Sequence, residues 1–337
     1  MVGKSKGAQA ADVLIVGAGI AGLMAADRLQ EAGLRVTVVD KGRSVGGRMA
    51  TRRIGPGRAD HGAQFFTVRS STFGRYVAAW KQAGLVYEWS HGFATEPSVE
   101  TAPDDGHVRY AISDGFTTVP KHLARAVDVH TRVQLVQVAP QQSGWQAIDR
   151  DGNSYEAEAL ILTPPVPQSL ALLDAGGAKL AAADRAELAR VRYAPCICGL
   201  FWVHGEVHLP PPGALQRDEH AIRWIADNQR KGISPEARLI TVHAGPTYSQ
   251  RHWERPDGES LESVRAGLRP FLDDQAVFRE AQLKRWRYAL PVEIHPERTL
   301  RPRQLPPLAF AGDAFHGPRV EGAALSGLAA AESLLAQ

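Results

Sequence analysis

The stretch from Asp12 to Asp40 constrains this chain more than any other. Asp12-Val13-Leu14-Ile15-Val16 reads as a buried parallel strand. Gly17-Ala18-Gly19-Ile20-Ala21-Gly22 reads as a tight turn that opens a helix of about four turns. Val36-Thr37-Val38-Val39-Asp40 is a second strand ending in a carboxylate. Gly17 lets the turn close, Gly19 lets backbone approach a pyrophosphate, and Gly22 lets the helix pack on the strand. The first amides of the helix and the positive end of its dipole would hold that pyrophosphate. Asp40, eighteen residues beyond Gly22, stands where a carboxylate accepts hydrogen bonds from an adenosine ribose. A bare glycine fingerprint would equally describe a tight strand-to-helix turn. The strand before it, the helix within it and the acid after it select dinucleotide binding.

Directly after Asp40, Lys41-Gly42-Arg43-Ser44-Val45-Gly46-Gly47-Arg48-Met49 forms a second glycine turn with two arginines. Arg43 and Arg48 are placed to neutralise a pyrophosphate from its other side. The alternative is a solvated loop with incidental charges. Asp60-His61-Gly62-Ala63-Gln64-Phe65-Phe66-Thr67 follows, with small residues before aromatics, as suits a backbone passing close to a flat ring or a simple turn into a core strand. Near the other end, Leu308-Ala309-Phe310-Ala311-Gly312-Asp313 is a buried strand ending in Gly-Asp, and Arg319-Val320-Glu321-Gly322-Ala323 opens a helix running to Leu335.

These segments resemble the flavin amine oxidase superfamily, and within it the renalase-like oxidoreductases of bacterial type. That resemblance spans about Asp12 to Leu335 and is weakest between 169 and 280. It implies an α/β fold: a Rossmann-like FAD-binding domain of the para-hydroxybenzoate hydroxylase and amine oxidase type, with an inserted α+β substrate domain on an antiparallel sheet. The expected FAD domain comprises residues 10–70, 110–168 and 295–337, and the substrate domain residues 71–109 and 169–294. FAD is expected to be bound non-covalently. The resemblance gives it Gly17, Ala18, Gly19, Ile20, Ala21, Gly22, Asp40, Lys41, Arg43, Gly47, Arg48, Met49, Gly62, Ala63, Gln64 and Phe65. The remaining cofactor positions are Val133 through its backbone, Thr163, Pro164, Gly312, Asp313, Val320, Glu321, Gly322 and Ala323. A helix start near Gly322 to Ala323 would offer partial positive charge to reduced flavin, which is negative around N1 and O2.

The activity implied is oxidation of 2- or 6-dihydro isomers of NAD(P) by hydride transfer to flavin N5, with oxygen reduced to hydrogen peroxide. Gln64 and Phe65 are expected beside the flavin, with Tyr193, His243, Trp286 and Tyr288 as walls of the substrate pocket. Trp286 and Tyr288 share a face if 285–289 is extended, although an aromatic core pair reads the same way. His243, between Val242 and Ala244, equally suits a hydrogen-bonded core histidine. Arg217, Arg223, Arg230 and Arg251 are candidates for substrate phosphates. The rivals are oxidation of a small or aromatic amine, for which Lys284 would substitute for a lysine near flavin N5, and a non-catalytic flavoprotein.

Between the motifs, the pattern predicts a helix over Phe73 to Ala83, an exposed loop over 94–107, a helix at Lys121 to Ala126, a strand over Arg132 to Val138, and a hairpin at Asp151-Gly152. Ala159 to Leu162 is a buried strand stopped by Pro164 and Pro165. An Ala-rich helix is expected over Ala181 to Arg190, then strands over Tyr193 to Val203, Ala221 to Ile225 and Leu239 to Ala244.

Composition narrows the function further. The 337 residues are 44% hydrophobic and 22% charged with net charge +3, and no basic run with interleaved aromatics marks a nucleic-acid binder. Of 39 basic residues 31 are arginine, spread along the chain. No run of about eighteen apolar residues is present, and Met1 to Ala11 lacks the apolar stretch of a signal peptide, so a cytoplasmic monomer or homodimer without membrane contact is expected. Cys196 and Cys198 read as core residues, since no C-x-x-C redox pair exists. His204-Gly205-Glu206-Val207-His208 has the wrong spacing for a zinc helix, and no metal is expected.

Overall fold

The computed structural model describes residues 9–95, 104 and 106–336. Most of the loop expected at 94–107 lies outside the described residues. The chain forms two compact units, each assembled from separated segments. Unit 1 comprises residues up to 47, 120–192 and 291 onward, and unit 2 comprises 48–119 and 193–290. These boundaries differ from the expected ones in four segments. Residues 48–70 and 110–119 join unit 2, while residues 169–192 and 291–294 join unit 1.

Unit 1 is built on a seven-stranded sheet. Its centre is β1 (Gln9–Val16), followed by α1 (Ile20–Glu31) and β2 (Val36–Asp40). Val13 to Val16 and Val36 to Val39 are apolar but for Thr37, and all are buried, as strands covered on both faces require. β2 pairs in parallel with β1, and on its other side with β7 (Asp128–Thr131). β1 pairs in parallel with β10 (Ser154–Leu162), whose final residues pair in parallel with β16 (Leu308–Phe310). The earlier half of β10 instead meets an antiparallel meander of β9 (Gly144–Asp149) and β8 (Leu135–Gln141).

The parallel strands therefore end together, at Val16, Asp40, Leu162 and Phe310. In open α/β sheets ligands sit at such carboxyl ends. The sequence pattern suggested one strand over Arg132 to Val138. The strand there, β8, instead begins only at Leu135, because Arg132 adopts a left-handed φ of 63° directly after β7 ends at Thr131.

Two helices cross on this sheet. α8 (Arg319–Leu335) is rich in small residues because it packs directly on α1, and a methyl group at Gly327 would lie 2.0 Å from the Ala21 carbonyl oxygen. α4 (Val166–Ala175) and α5 (Ala182–Arg190) complete the unit. The chain ends, about three hundred residues apart in sequence, thus meet inside one unit.

Unit 2 holds a five-stranded sheet in the order β12-β13-β14-β11-β15. These strands are β11 (Arg192–His204), β12 (Ala214–Gln216), β13 (Ile222–Asp227), β14 (Leu239–Ala244) and β15 (Val277–Glu293). One face carries Ile197, Phe201, Ile240 and Val242 and is packed by Val264 and Leu268 of α7 (Asp257–Leu268). The other face carries Cys198, Leu200 and Leu239, against Ile54 and Ala59 of the ribbon β3 (Thr51–Ile54) and β4 (Gly57–Asp60). Around them lie α2 (Ser71–Gln82), capped by the Ser70 hydroxyl, the pair β5 (Val86–Ser90) and β6 (Arg109–Ile112), and α6 (Pro246–Arg251). α3 (Thr118–Leu123) leads the chain from unit 2 into unit 1. Among the described residues no helix is long and apolar enough to cross a membrane.

Candidate active site

In unit 1 the first glycine turn is shaped by its neighbours. Gly17 has φ +102°, and a methyl group there would sit 2.3 Å from Thr163 Oγ1. Thr163 belongs to this turn as a brace, since its hydroxyl donates to the Val16 carbonyl at 2.8 Å and lies 3.2 Å from that of Gly17. Gly22 presses on the turn from the helix side, with room for no methyl because the Gly17 carbonyl oxygen would lie 2.0 Å away. Gly19 differs: nothing lies within 4 Å of where its methyl would be. It is the N-cap of α1, and no side chain caps that helix. Open amides beside open space are what a pyrophosphate requires.

The second glycine turn closes against the first. The Gly46 amide donates to the Ala18 carbonyl at 2.8 Å, Gly19 and Gly46 bridge in parallel, and a methyl group at Gly47 would lie 3.5 Å from Gly19 Cα. Asp40 lies between them, one oxygen accepting from the Ala18 amide at 2.7 Å and the other from the Gly42 amide at 2.6 Å. A carboxylate has about four acceptor sites, so these bonds orient Asp40 and leave capacity for ribose hydroxyls. Lys41 reaches Gln168 at 3.0 Å, and Arg43 is exposed. The Val133 amide donates to the Asp40 carbonyl at 2.9 Å.

The C-terminal motif reaches the same sheet end. The Ala311 amide donates to Leu162, and the Gly312 amide to Ser326 Oγ at 2.9 Å. His316 and Arg319 both have left-handed φ, at 61° and 77°, strain of the kind that gathers at functional loops. α8 starts at Pro318 without a side-chain cap, with Val320 and Ala323 buried and Glu321 in its first turn. Gly322 is small for a different reason from the one its sequence suggested. A methyl there would lie 1.8 Å from the Gly317 carbonyl oxygen, so the residue accommodates its own loop.

FAD fits this end of unit 1: Gly17 to Gly22 and Gly46 to Gly47 would hold its pyrophosphate, Asp40 its ribose, and the α8 start its ring. When bound, FAD supplies hydride acceptance and electron transfer to oxygen. What the chain's own residues supply is open amides, a fixed carboxylate and a helix dipole.

Unit 2 gathers the residues expected at the substrate side. Tyr193 and Tyr288 meet edge to face with centroids 5.4 Å apart. Trp286 stacks on His61 at 5.3 Å, and its indole donates to the His61 carbonyl at 2.8 Å. Trp286 and Tyr288 do share a face of β15, and Lys284 lies over the Trp286 ring at 5.0 Å. Across the sheet Cys198, His243 and Trp224 stand side by side in register.

Burial, then repulsion from Lys284 and Arg52, pushes His61 down to about 3. Burial pushes His243 down to about 4, with the Lys231 charge adding to it. Both are therefore neutral imidazoles near pH 7. His61 Nδ1 and His243 Nε2 are buried without a hydrogen-bond partner, while a hydrogen bond with the His61 backbone opposes the lowering of the His243 pKa.

Other expected residues of unit 2 make contacts within that unit. Gln64 is buried, receives the Trp224 indole N–H at 3.2 Å, and donates to the carbonyls of Asp60 and Gly62. Phe65 packs on Phe93 and Trp224. Gly62 lacks a side chain because the Arg48 carbonyl would lie 1.9 Å from it, and Ala63 donates to that carbonyl. Arg48 itself bonds the Tyr288 carbonyl at 3.1 Å, and Met49 is buried. Arg217 bonds His220, and Arg230 the Leu209 carbonyl. Cys196 and Cys198 are free, and burial pushes Cys196 up to about 12. His208 pairs with Asp273.

Sequence reasoning missed the buried pair of Lys231 and Asp60, 2.7 Å apart with both side chains at 0% exposure. Lys231 sits in Gln229-Arg230-Lys231-Gly232, which reads as an exposed polar loop. It missed Trp224 as well, which the alternation of Ile222 and Trp224 in a strand pattern would have flagged.

Fold and site together define a dinucleotide-binding flavoprotein. Residues 15–80 match the NAD(P)-binding Rossmann-like domain, and residues 74–335 match the flavin containing amine oxidoreductase family. The chain belongs to this family and is an FAD-dependent oxidoreductase. Its fold is similar to that of putrescine oxidase, with TM-score 0.71 at 15% identity over 98% of this chain and 100% of the other. It is also similar to a structure from Exiguobacterium sp. 255-15 assigned as a protoporphyrinogen oxidase, with TM-score 0.74 at 13% identity over 98% and 100% of the two chains. A segment of 41 residues is 58% identical to an L-amino-acid oxidase of Siganus canaliculatus, covering 12% of this chain and 8% of that protein.

Proposed function

We propose that the protein is a renalase-type oxidase that binds FAD non-covalently and oxidises 2- or 6-dihydro isomers of NAD(P). A hydride leaves the dihydropyridine ring and, with one proton, reduces oxygen to hydrogen peroxide, giving NAD(P)+. The observation that carries this reading is the character of the unit 2 face. Tyr193, Trp286 and Tyr288 offer flat apolar surface, and the two imidazoles among them are held neutral. Such a face suits a neutral ring that already carries its hydride.

A cationic amine would need a carboxylate to receive it or a base to deprotonate it. Asp60, the carboxylate nearest this cluster in sequence, is committed to Lys231. A preformed hydride donor demands neither, and positioning supplies most of the rate. Anaerobic mixing with each dihydro isomer, and separately with putrescine or an L-amino acid, tests the reading. Bleaching of the flavin absorbance by the isomers is expected, whereas bleaching by an amine alone overturns it in favour of an amine oxidase.

A further inference from the structure

We propose that Asp60 and Lys231 form a positioning pair that fixes the backbone of His61 to Phe65, the turn whose Gln64 and Phe65 the family resemblance implies beside the flavin. The inference rests on that assignment for its catalytic meaning, though not for its geometry.

Asp60 directly precedes the turn and bonds six residues of unit 2. Its Oδ1 accepts from Thr51 Oγ1 at 2.6 Å and from the Phe116 amide at 2.8 Å, and its Oδ2 accepts from Lys231 Nζ at 2.7 Å. Its carbonyl accepts from Thr241 Oγ1 at 2.7 Å and from Gln64 Nε2 at 2.8 Å. Its amide donates to Asn228 Oδ1 at 3.3 Å. The next residue, His61, then offers its carbonyl to Trp286. A displacement of Asp60 is therefore passed to both ends of the turn and to a wall of the aromatic face.

The loop that delivers Lys231 is itself fastened. Asn228 Nδ2 donates to the Leu239 carbonyl at 2.8 Å and to Thr241 Oγ1 at 2.9 Å. The Lys231 amide donates to the Asp227 carbonyl, and its own carbonyl accepts from Tyr87 Oη. The ammonium is held between the rings of Trp89, at 5.0 Å, and Phe116, at 4.9 Å. Burial pulls the lysine pKa down, and Asp60 opposes that pull.

Net stability is a poor explanation for such a pair. Desolvating two ions opposes folding, and apolar residues of similar volume often hold the same space as well or better. What apolar residues lack is direction. A carboxylate with three donors at fixed angles sets the rotation of its own backbone, and here that backbone leads into the turn. Both groups are consumed by these contacts, so neither touches substrate, and their effect runs through His61 to Phe65.

The test uses Lys231→Met and the charge-neutral double variant Asp60→Asn/Lys231→Met. Hydrogen exchange of amides 61–65 is measured on the flavin-free chain, and the anaerobic reduction rate on the flavin-loaded chain. The double variant is expected to keep the melting temperature and FAD occupancy of the parent. Its turn amides should exchange at least about tenfold faster, and its reduction should slow up to about a hundredfold, the scale of a misplacement of about 1 Å. If Lys231→Met fails to fold, the double variant decides the matter alone. Parental exchange and parental reduction rate in the double variant would overturn the proposal. A parent chain that takes no flavin would sink the functional reading instead, and the exchange result would still decide the role of the pair.

Discussion

Gly19 and Gly22 occupy the same turn, yet alanine should harm them in different ways. At Gly19 the backbone has φ −75° and ψ 177°, open to any residue, and a methyl group would meet nothing within 4 Å. Gly19→Ala should therefore change the stability of the flavin-free chain by no more than about 0.5 kcal/mol, since lost unfolded-state entropy and a poorer N-cap roughly offset. The open space is where the account places the pyrophosphate. A methyl there would push it from one charge-assisted amide bond worth about 1.5–3 kcal/mol, raising the FAD dissociation constant by roughly 10- to 150-fold. Gly22→Ala meets the Gly17 carbonyl at 2.0 Å and should cost about 1–3 kcal/mol of folding stability before any ligand is added. Urea denaturation of flavin-free protein separates the two, and quenching of FAD fluorescence gives the affinities. Parental FAD affinity in Gly19→Ala at parental stability would refute the placement of the phosphates.

Three further outcomes follow from the geometry. His61 and His243 have folded pKa values pushed down to about 3 and about 4 from 6.5, so below pH 6.5 the unfolded chain binds protons that the folded chain refuses. Stability should fall as pH drops from 6.5 towards 4, by up to about 1.4 kcal/mol per pH unit for each histidine, and urea midpoints of His61→Asn should show a shallower slope. Gly322→Ala should lower the melting temperature of the flavin-free chain, at a cost of about 1–3 kcal/mol, because its methyl meets the Gly317 carbonyl; parental melting would contradict the packing described. Trp286→Leu removes the stack on His61 and should slow anaerobic flavin reduction about 10- to 100-fold at unchanged FAD occupancy, with unchanged reduction counting against its place at the substrate.

The fold around the glycine turns of unit 1 was legible because its determinants are local. Glycine positions, an N-terminal helix turn and an acid at the end of the next strand are fixed by short-range geometry, and the structure brings Gly17, Gly19, Asp40, Gly46 and Gly312 to one sheet end. The convergence of the two chain ends could be expected only from the resemblance, and the Gly327 contact with Ala21 gives its physical basis. Unit 2 was read less well because its determinants are long-range. Lys231 looks solvated until β13, β14 and the Asp60 turn close over it, and no local pattern reports a partner 171 residues away. Small residues misled in a consistent way. Gly62 and Gly322 suggested close approach to a ligand, but each first makes room for a carbonyl of its own chain. The later start of β8, at Leu135, was hidden because alternation of side chains is blind to a single left-handed residue at Arg132.

The account stands on one FAD bound where the two glycine turns and the start of α8 meet. The most direct measurement is the visible spectrum of the purified chain, followed by denaturation and assay of the released flavin. One FAD per chain, released without covalent attachment and rebinding to the flavin-free protein, is the predicted result. A colourless chain that takes up no added FAD would contradict it.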